Sequence, residues 1–118
     1  MAWISLGVCI LGLTGAFAQL VPGGYTETRV INEETRRVAF SVQIDILWRL
    51  QSMNIIATEF VPLLYRSQVV AGTNYLVKIR IGYGHHIHVI IYRNLSGTEI
   101  SVTKLQTWKS LWDPLVPF

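Results

Sequence analysis

The residue types that could do chemistry in this chain are few, and three histidines, His85, His86 and His88, stand out among them. His86 and His88 are two residues apart, so on a β-strand both imidazoles would project from one face and could approach the same metal ion. A protein zinc site needs at least a third ligand, and none of suitable geometry accompanies them. We therefore predict no metal site here.

The sequence also lacks the residue combinations of a catalytic centre. The single cysteine, Cys9, lies in an apolar N-terminal stretch. No serine and no carboxylate pair has a companion at a spacing that suggests a nucleophile with its base or an acid–base pair. We predict that the protein is not an enzyme and binds no cofactor, and we interpret Trp48, Trp108 and Trp112 as packing residues.

The first eighteen residues predict a secretory signal peptide. An apolar run, residues 3–13, is followed by Ala16-Phe17-Ala18, the small-x-small pattern that precedes signal cleavage. The run is shorter than the roughly 20 residues that span a bilayer. We expect cleavage after Ala18, with a membrane anchor as the alternative because no Lys or Arg precedes the run. Residues 19–118 would then form the mature domain.

Secretion would also expose a glycosylation motif to modification. Asn94-Leu95-Ser96 is an N-x-Ser sequence, the acceptor for N-linked sugar in a secreted chain. We predict Asn94 as the modified residue.

Composition limits the remaining function classes. Hydrophobic residues make up 51% and charged residues 14% of the chain, which is too apolar a composition for a disordered protein. The length of 118 residues fits one domain. The formal net charge is +3, and basic residues never occur in runs longer than two. We therefore predict no nucleic-acid partner, and no membrane partner once the signal is removed.

The first elements that must position any site are an N-terminal arm, residues 19–31, and a helix from about Asn32 to Gln51. Asn32 is a suitable N-cap, and Glu33 and Glu34 favour the start of a helix. The apolar residues fit both a strand and a helix. The alternating set is Val38, Phe40, Val42, Ile44 and Ile46, and the helical set is Val38, Val42, Ile46 and Leu50. Twenty residues without Gly or Pro favour a helix, since a strand averages about 5 or 6.

The rest of the chain predicts antiparallel strands. Residues 58–70 form an extended stretch in which Pro62 indicates an edge or a bulge, and residues 71–74 predict a tight turn. In residues 75–81 apolar side chains alternate with Leu76, Lys78 and Arg80, which predicts a core face and a mostly polar face in solvent. Residues 87–91 repeat the pattern, residues 94–97 form a second hairpin tip, and residues 100–108 form the last strand before an irregular tail.

One loop is more specific than turn chemistry requires. Residues 68–72, Gln-Val-Val-Ala-Gly, match the Gln-x-Val-x-Gly signature of cystatins, and residues 67–75 (SQVVAGTNY) resemble its stefin form. Alone, these five residues would also suit an ordinary hairpin. The resemblance extends through Lys78, Arg80, Gly82, His88 and Leu95, and the final DPLVPF is similar to the stefin tail. It implies an α+β cystatin fold, one long helix wrapped by a four- to five-stranded antiparallel sheet.

The resemblance also implies a function. Stefin-like (cystatin A/B-like) proteins are reversible, competitive inhibitors of papain-like cysteine proteases such as cathepsins, whose cleft they occlude with an N-terminal arm and two hairpin loops. Here the arm would contain Pro22-Gly23-Gly24, which from the residues alone is also a plain linker. The implied protease-binding residues are Val21, Pro22, Gly23, Gly24, Gln68, Val69, Val70, Ala71, Gly72, Leu95 and Ser96.

The second loop departs from the stefin pattern, which has Leu-Pro where this chain has Leu95-Ser96. Serine replaces a rigid apolar contact with a more flexible polar one, and a sugar on Asn94 would stand in the wedge. The alternative function is therefore a secreted cystatin-fold binding protein that does not inhibit. We expect an extracellular or endolysosomal monomer, with strand exchange through the first loop as a route to a domain-swapped dimer.

Overall fold

The computed structural model describes residues 24–118, and its helical segment lies where the sequence predicts one. Helix α1 (Glu33–Ser41) is followed after one residue by helix α2 (Gln43–Ser52). The Asn32 side chain accepts a hydrogen bond from the backbone N–H of Thr35 at 2.8 Å, which confirms it as the N-cap. No helix in this part of the chain is long and apolar enough to cross a membrane.

One residue, Val42, interrupts the predicted single helix. The Ser41 hydroxyl donates a hydrogen bond to the carbonyl oxygen of Val38 at 2.6 Å, and bonds of this kind bend helices. The N–H of Val42 donates to the carbonyl of Ala39, three residues back, at 3.3 Å, so the turn is locally tighter than an α-helical turn. The α-helical pattern resumes when Ile46 donates to Val42 at 3.0 Å.

Both apolar patterns of this segment are real, because the helix is apolar on two opposite faces. The buried face consists of Val38, Val42, Ile46 and Leu50. The strand-like alternation arises because Phe40 and Ile44 lie on the opposite face together with Trp48, with exposed fractions of 41%, 66% and 67%. We call these three residues the outer stripe.

Five strands within the described residues form one antiparallel sheet in chain order. They are β1 (Arg29–Val30), β2 (Val61–Val70), β3 (Gly72–Gly82), β4 (His85–Arg93) and β5 (Ile100–Lys109). The helix covers one face of this sheet, and the alternating residues of the strands complete the core there, among them Tyr75, Val77, Ile79, Ile81, Ile87, Val89 and Ile91. The predicted α+β fold of a helix wrapped by a four- to five-stranded antiparallel sheet is confirmed.

The irregularity predicted at Pro62 is a β-bulge. Pro62 lies opposite Ile79 of β3, whereas Leu64 lies opposite Lys78, so β2 has one residue more than its partner here. Beyond the bulge the pairing of β2 with β3 continues without a shift to Val70.

The prediction that the second face of the sheet is solvated is wrong. Lys78, His86 and His88 project from that face, and each is no more than 4% exposed. The C-terminal residues 110–118 cover it, because Lys78 Nζ donates hydrogen bonds of 2.7 Å to the carbonyl oxygens of Ser110, Leu111 and Asp113. A second apolar cluster lies under the same tail: Leu76, Ile90 and Leu115, with Tyr25, Leu64 and Phe118.

Candidate functional site

Three segments meet at one end of the sheet. The connection from β2 to β3 and the connection from β4 to β5 lie at the same end, because β3 is antiparallel to both β2 and β4. The register fixes their proximity, since Thr73 is opposite Arg93 and Arg93 is opposite Ile100. We call this end the rim; its parts are the N-terminal arm, which the structure describes from Gly24 onward, the first loop (residues 68–72) and the second loop (residues 94–99).

The first loop is a short, exposed hairpin tip. Val69 and Val70 are 60% and 39% exposed. The predicted four-residue turn is wrong in extent, because Thr73 and Asn74 already pair with Val69 and Gln68, and only Ala71 lies between the strands. Strand pairing therefore extends nearly to the tip and holds the apolar side chains in place.

Gly72 brings the first loop into close contact with the end of β4, which leads into the second loop. Its φ of +114° is a backbone conformation that L-residues with a side chain rarely adopt. A Cβ at this position would overlap the carbonyl oxygen of Arg93 and lie 2.9 Å from the Tyr92 hydroxyl, which itself donates a hydrogen bond to the Ala71 carbonyl. Glycine is required here by close approach to β4, in addition to any contact with a partner.

The second loop is closed by the residue predicted to bear a sugar. Asn94 Oδ1 accepts a hydrogen bond from the backbone N–H of Glu99 at 3.0 Å, and Asn94 Nδ2 donates to Thr98 Oγ1 at 3.1 Å. Leu95 is 84% exposed at the tip, and Ser96 beside it is exposed as well. The loop thus exposes the side chain of Leu95, while hydrogen bonds of Asn94 hold the two ends of the loop together.

The arm runs antiparallel to the end of β2. Tyr25 forms a β-bridge with Gln68, and the N–H of Thr26 donates to the Ser67 carbonyl at 2.9 Å. Gly24 therefore lies beside the first loop. The predicted contacts Val21, Pro22 and Gly23, like the predicted signal peptide, lie outside the described residues.

Arg66 attaches the arm to the C-terminal tail. Its Nε donates to the Thr26 carbonyl at 2.7 Å, and its Nη1 donates to the Leu115 carbonyl at 2.6 Å. The guanidinium also lies 5.7 Å from the centroid of the Tyr25 ring, within cation–π range. Nothing in the sequence singles out Arg66, because a lone arginine in a strand is typical of a solvated face.

The charged side chains nearest the rim lie at the base of the loops and not at their tips. Arg93, at the root of the second loop, forms an ion pair of 3.3 Å with Glu34 of α1, and Glu34 accepts a hydrogen bond from the Tyr75 hydroxyl at 2.9 Å. Burial, and then this hydrogen bond to Glu34, raise the pKa of Tyr75. Residues 68–72 and 94–98 contain no ionisable side chain. The tips are therefore suited to a neutral, apolar cleft.

His86 and His88 are buried, and His85, which is half-buried, begins β4 at the end of the sheet opposite the rim. His88 is opposite Lys78 in the register of β3 and β4, and burial together with the charge of Lys78 lowers the pKa of His88 to about 4. Burial also lowers the pKa of His86. Within residues 24–118 no three potential ligands are grouped so as to hold a metal ion.

The chain is similar in sequence to several known proteins. No protein-family model matches the chain. It is 34% identical over 77 residues to Cystatin-A8 of Sus scrofa, covering 65% of this chain and 72% of that protein. It is 33% identical over 100 residues to Cystatin-A of Mus musculus, covering 84% of this chain and all of that protein. It is 32% identical over 81 residues to Leukocyte cysteine proteinase inhibitor 1 of Sus scrofa, covering 69% and 76%.

Proposed function

The chain belongs to the cystatin family, on its stefin (cystatin A/B) branch, and from this premise we propose that it is a reversible, competitive inhibitor of papain-like cysteine proteases. One observation supports this most directly. The exposed valines of the first loop, the exposed Leu95 and the arm share one rim of the sheet. Three neighbouring projections of this kind form a wedge that can enter an extended cleft.

In this proposal the first loop makes the central contact. Val69 and Val70 enter the cleft beside the protease's catalytic cysteine, while the arm, through Val21 and Pro22, occupies the subsites on one side and Leu95 the other side. No peptide bond of the loop is offered for cleavage, because strand pairing holds the backbone up to Val70. A loop already held by two strands loses little conformational entropy on binding, so its contacts contribute more fully to affinity.

Inhibition constants of single variants test this role. Val69→Asp places a charge at the tip, and we expect inhibition of papain and of a lysosomal cathepsin to weaken by at least roughly a hundredfold, about 2.7 kcal/mol. Val30→Asp is the matched control, because Val30 is 76% exposed but lies on β1 opposite Leu64, away from the rim. Equal potency of the two variants would refute the assignment.

A second candidate function rests on the second loop. Ser96 occupies the place where stefins have proline, and a sugar on Asn94 would extend from the wedge itself. These features favour a secreted binding protein that no longer inhibits. Titration of papain with the purified wild-type protein separates the two functions. An inhibitor must block the enzyme at micromolar concentration or below, whereas the binding protein would leave the enzyme active.

We also propose that the chain is secreted after removal of residues 1–18. Expression in mammalian cells should release protein that begins at Gln19 and loses mass on treatment with an N-glycosidase, and Asn94→Gln should abolish that loss. Retention of the chain in cells with an intact N-terminus would refute secretion. Comparing the inhibition constants of glycosylated protein and Asn94→Gln then measures how far the sugar obstructs the second loop.

A further inference from the structure

The N-terminal arm meets the sheet through a short contact. Tyr25 forms a β-bridge with Gln68. The buried Thr26 pairs with Ser67 in both directions, since its N–H donates to the Ser67 carbonyl at 2.9 Å and the Ser67 N–H donates to Thr26 Oγ1 at 3.2 Å. Residues 27–28, which connect this contact to β1, are exposed. The position of the residues ahead of the contact therefore depends on how firmly Tyr25 and Thr26 are held.

The C-terminal tail crosses the second face of the sheet and reaches the same contact. Its path follows a row of four residues that lie opposite one another, one on each of the strands β2 to β5: Arg66, Leu76, Ile90 and Lys104. Leu115 packs with the two apolar residues in the middle of the row. Both basic residues at its ends donate to the tail, Arg66 to the Leu115 carbonyl at 2.6 Å and Lys104 to the Phe118 carbonyl at 3.2 Å.

Arg66 joins the tail to the arm. Its guanidinium donates at the same time to the Leu115 carbonyl and, at 2.7 Å, to the Thr26 carbonyl. Arginine suits this position because its donors lie in a rigid planar fork, which can bond two backbone acceptors on different segments. Tyr25 and Phe118 pack against the same apolar cluster as Leu115. The arm therefore rests on the tail through Arg66 and through the packing of Tyr25.

We propose that the tail positions the arm for protease binding and that Arg66 is the positioning residue. This inference rests on the proposed inhibitor function, in which Val21 and Pro22 of the arm enter the cleft. Val21 is four residues before Tyr25, so a backbone held at Tyr25 limits the positions that Val21 can reach. An arm that is restricted before binding loses less conformational entropy when the complex forms, which favours the complex.

Hydrogen exchange in the free protein tests whether the tail holds the arm. Leu115→Ala removes packing between the tail and the sheet, and the ratio of the exchange rate of the Thr26 amide to that of the Ile31 amide should rise at least roughly fivefold. Ile31 is the internal reference, because its N–H donates to the Leu63 carbonyl at 3.0 Å, further along the same segment.

Val102→Ala is the matched control for this measurement. Val102 is as well buried as Leu115, but it belongs to the core on the helix side of the sheet. General destabilisation should therefore leave the ratio unchanged in Val102→Ala. An unchanged ratio in Leu115→Ala, or an equal rise in Val102→Ala, would overturn the proposal.

Dissociation rates of the complex with papain test the effect on inhibition. Arg66→Met should raise the dissociation rate constant at least roughly fivefold. In a chain that also carries Val21→Gly and Pro22→Gly, the arm has lost its side-chain contacts, and Arg66→Met should change the rate constant less than about twofold. Arg49→Met is the matched control, because Arg49 of α2 also donates to a distant carbonyl, that of Val102 at 3.2 Å, and should leave the rate constant unchanged.

The two backgrounds separate positioning from a general structural role. An equal increase in both would overturn the positioning role, because Arg66 would then act through the first loop or through the fold. If the original chain does not inhibit papain, the proposed function fails, and the exchange ratio in the free protein still decides whether the tail holds the arm.

Discussion

Acidification should destabilise the folded chain through His88. The imidazole is 1% exposed, and its Nε2 has no hydrogen-bond partner among residues 24–118. The charges that face it are mostly positive: Lys78 on β3, Lys109 at the end of β5 and His86 on its own strand oppose its protonation, whereas Asp113 of the tail favours it. A proton on His88 would therefore place an unpaired positive charge beneath the tail.

The magnitude follows from the pKa. Burial is the largest cause that lowers the pKa of His88 from 6.5 to about 4. Above pH 6.5 the imidazole is neutral in the folded and the unfolded chain. As the pH falls from 6.5 to 4, the unfolded chain binds a proton that the folded chain excludes, so the free energy of unfolding decreases. The loss amounts to about 3 kcal/mol at pH 4.

Urea unfolding followed by tryptophan fluorescence measures this loss. The free energy of unfolding should fall by about 3 kcal/mol more between pH 7 and pH 4 for the original chain than for His88→Gln. The comparison is between the two pH-dependent losses, so any packing defect that the substitution introduces at pH 7 cancels. If His88→Gln loses as much stability on acidification as the original chain, the argument from burial of His88 is wrong.

Three further predictions concern the tail, the arm and the first loop. Lys78→Met should lower the free energy of unfolding by about 3 kcal/mol at pH 7, measured by urea titration, because three tail carbonyls lose their donor; an unchanged value would contradict the assigned hydrogen bonds. Arg66→Met should speed hydrogen exchange at the Thr26 amide at least roughly tenfold, because the arm loses the side-chain hydrogen bond that holds the Thr26 carbonyl and its link to the tail; unchanged protection would count against this role of Arg66. Gly72→Ala should cost about 3 kcal/mol and Gly84→Ala only about 1, since a Cβ at Gly84 meets nothing within 4 Å; equal costs would exclude overlap with β4.

Much of the fold could be predicted because its local signals agree with its tertiary contacts. Asn32 is the N-cap that its side chain suggests, and Pro62 produces the bulge that its missing N–H suggests. The helix could be assigned only by length, since its second apolar row imitates the alternation of a strand. The structure leaves that second row largely exposed, and periodicity alone does not distinguish an exposed apolar row from a buried one.

The rest depended on contacts between distant parts of the chain. Lys78 alternates with core residues and should by that pattern be solvated, but the tail covers it and supplies its acceptors. The resemblance of the first loop to cystatins indicates the candidate site, whereas the proximity of that loop to Leu95 follows from strand order and register. The role of Arg66 depends on carbonyls 40 and 49 residues away, which no local pattern encodes.

The contact between Gly72 and β4 has a consequence for the design of new specificity. The Tyr92 hydroxyl donates a hydrogen bond to the Ala71 carbonyl, and the Arg93 carbonyl occupies the space beside Gly72. The position of the first loop therefore depends on the strand that leads into the second loop. Grafting a relative's first hairpin alone onto this chain would leave its new tip resting on a mismatched neighbour. Variants selected for a different target should therefore be built from libraries in which both hairpins and the base at Tyr92 vary together.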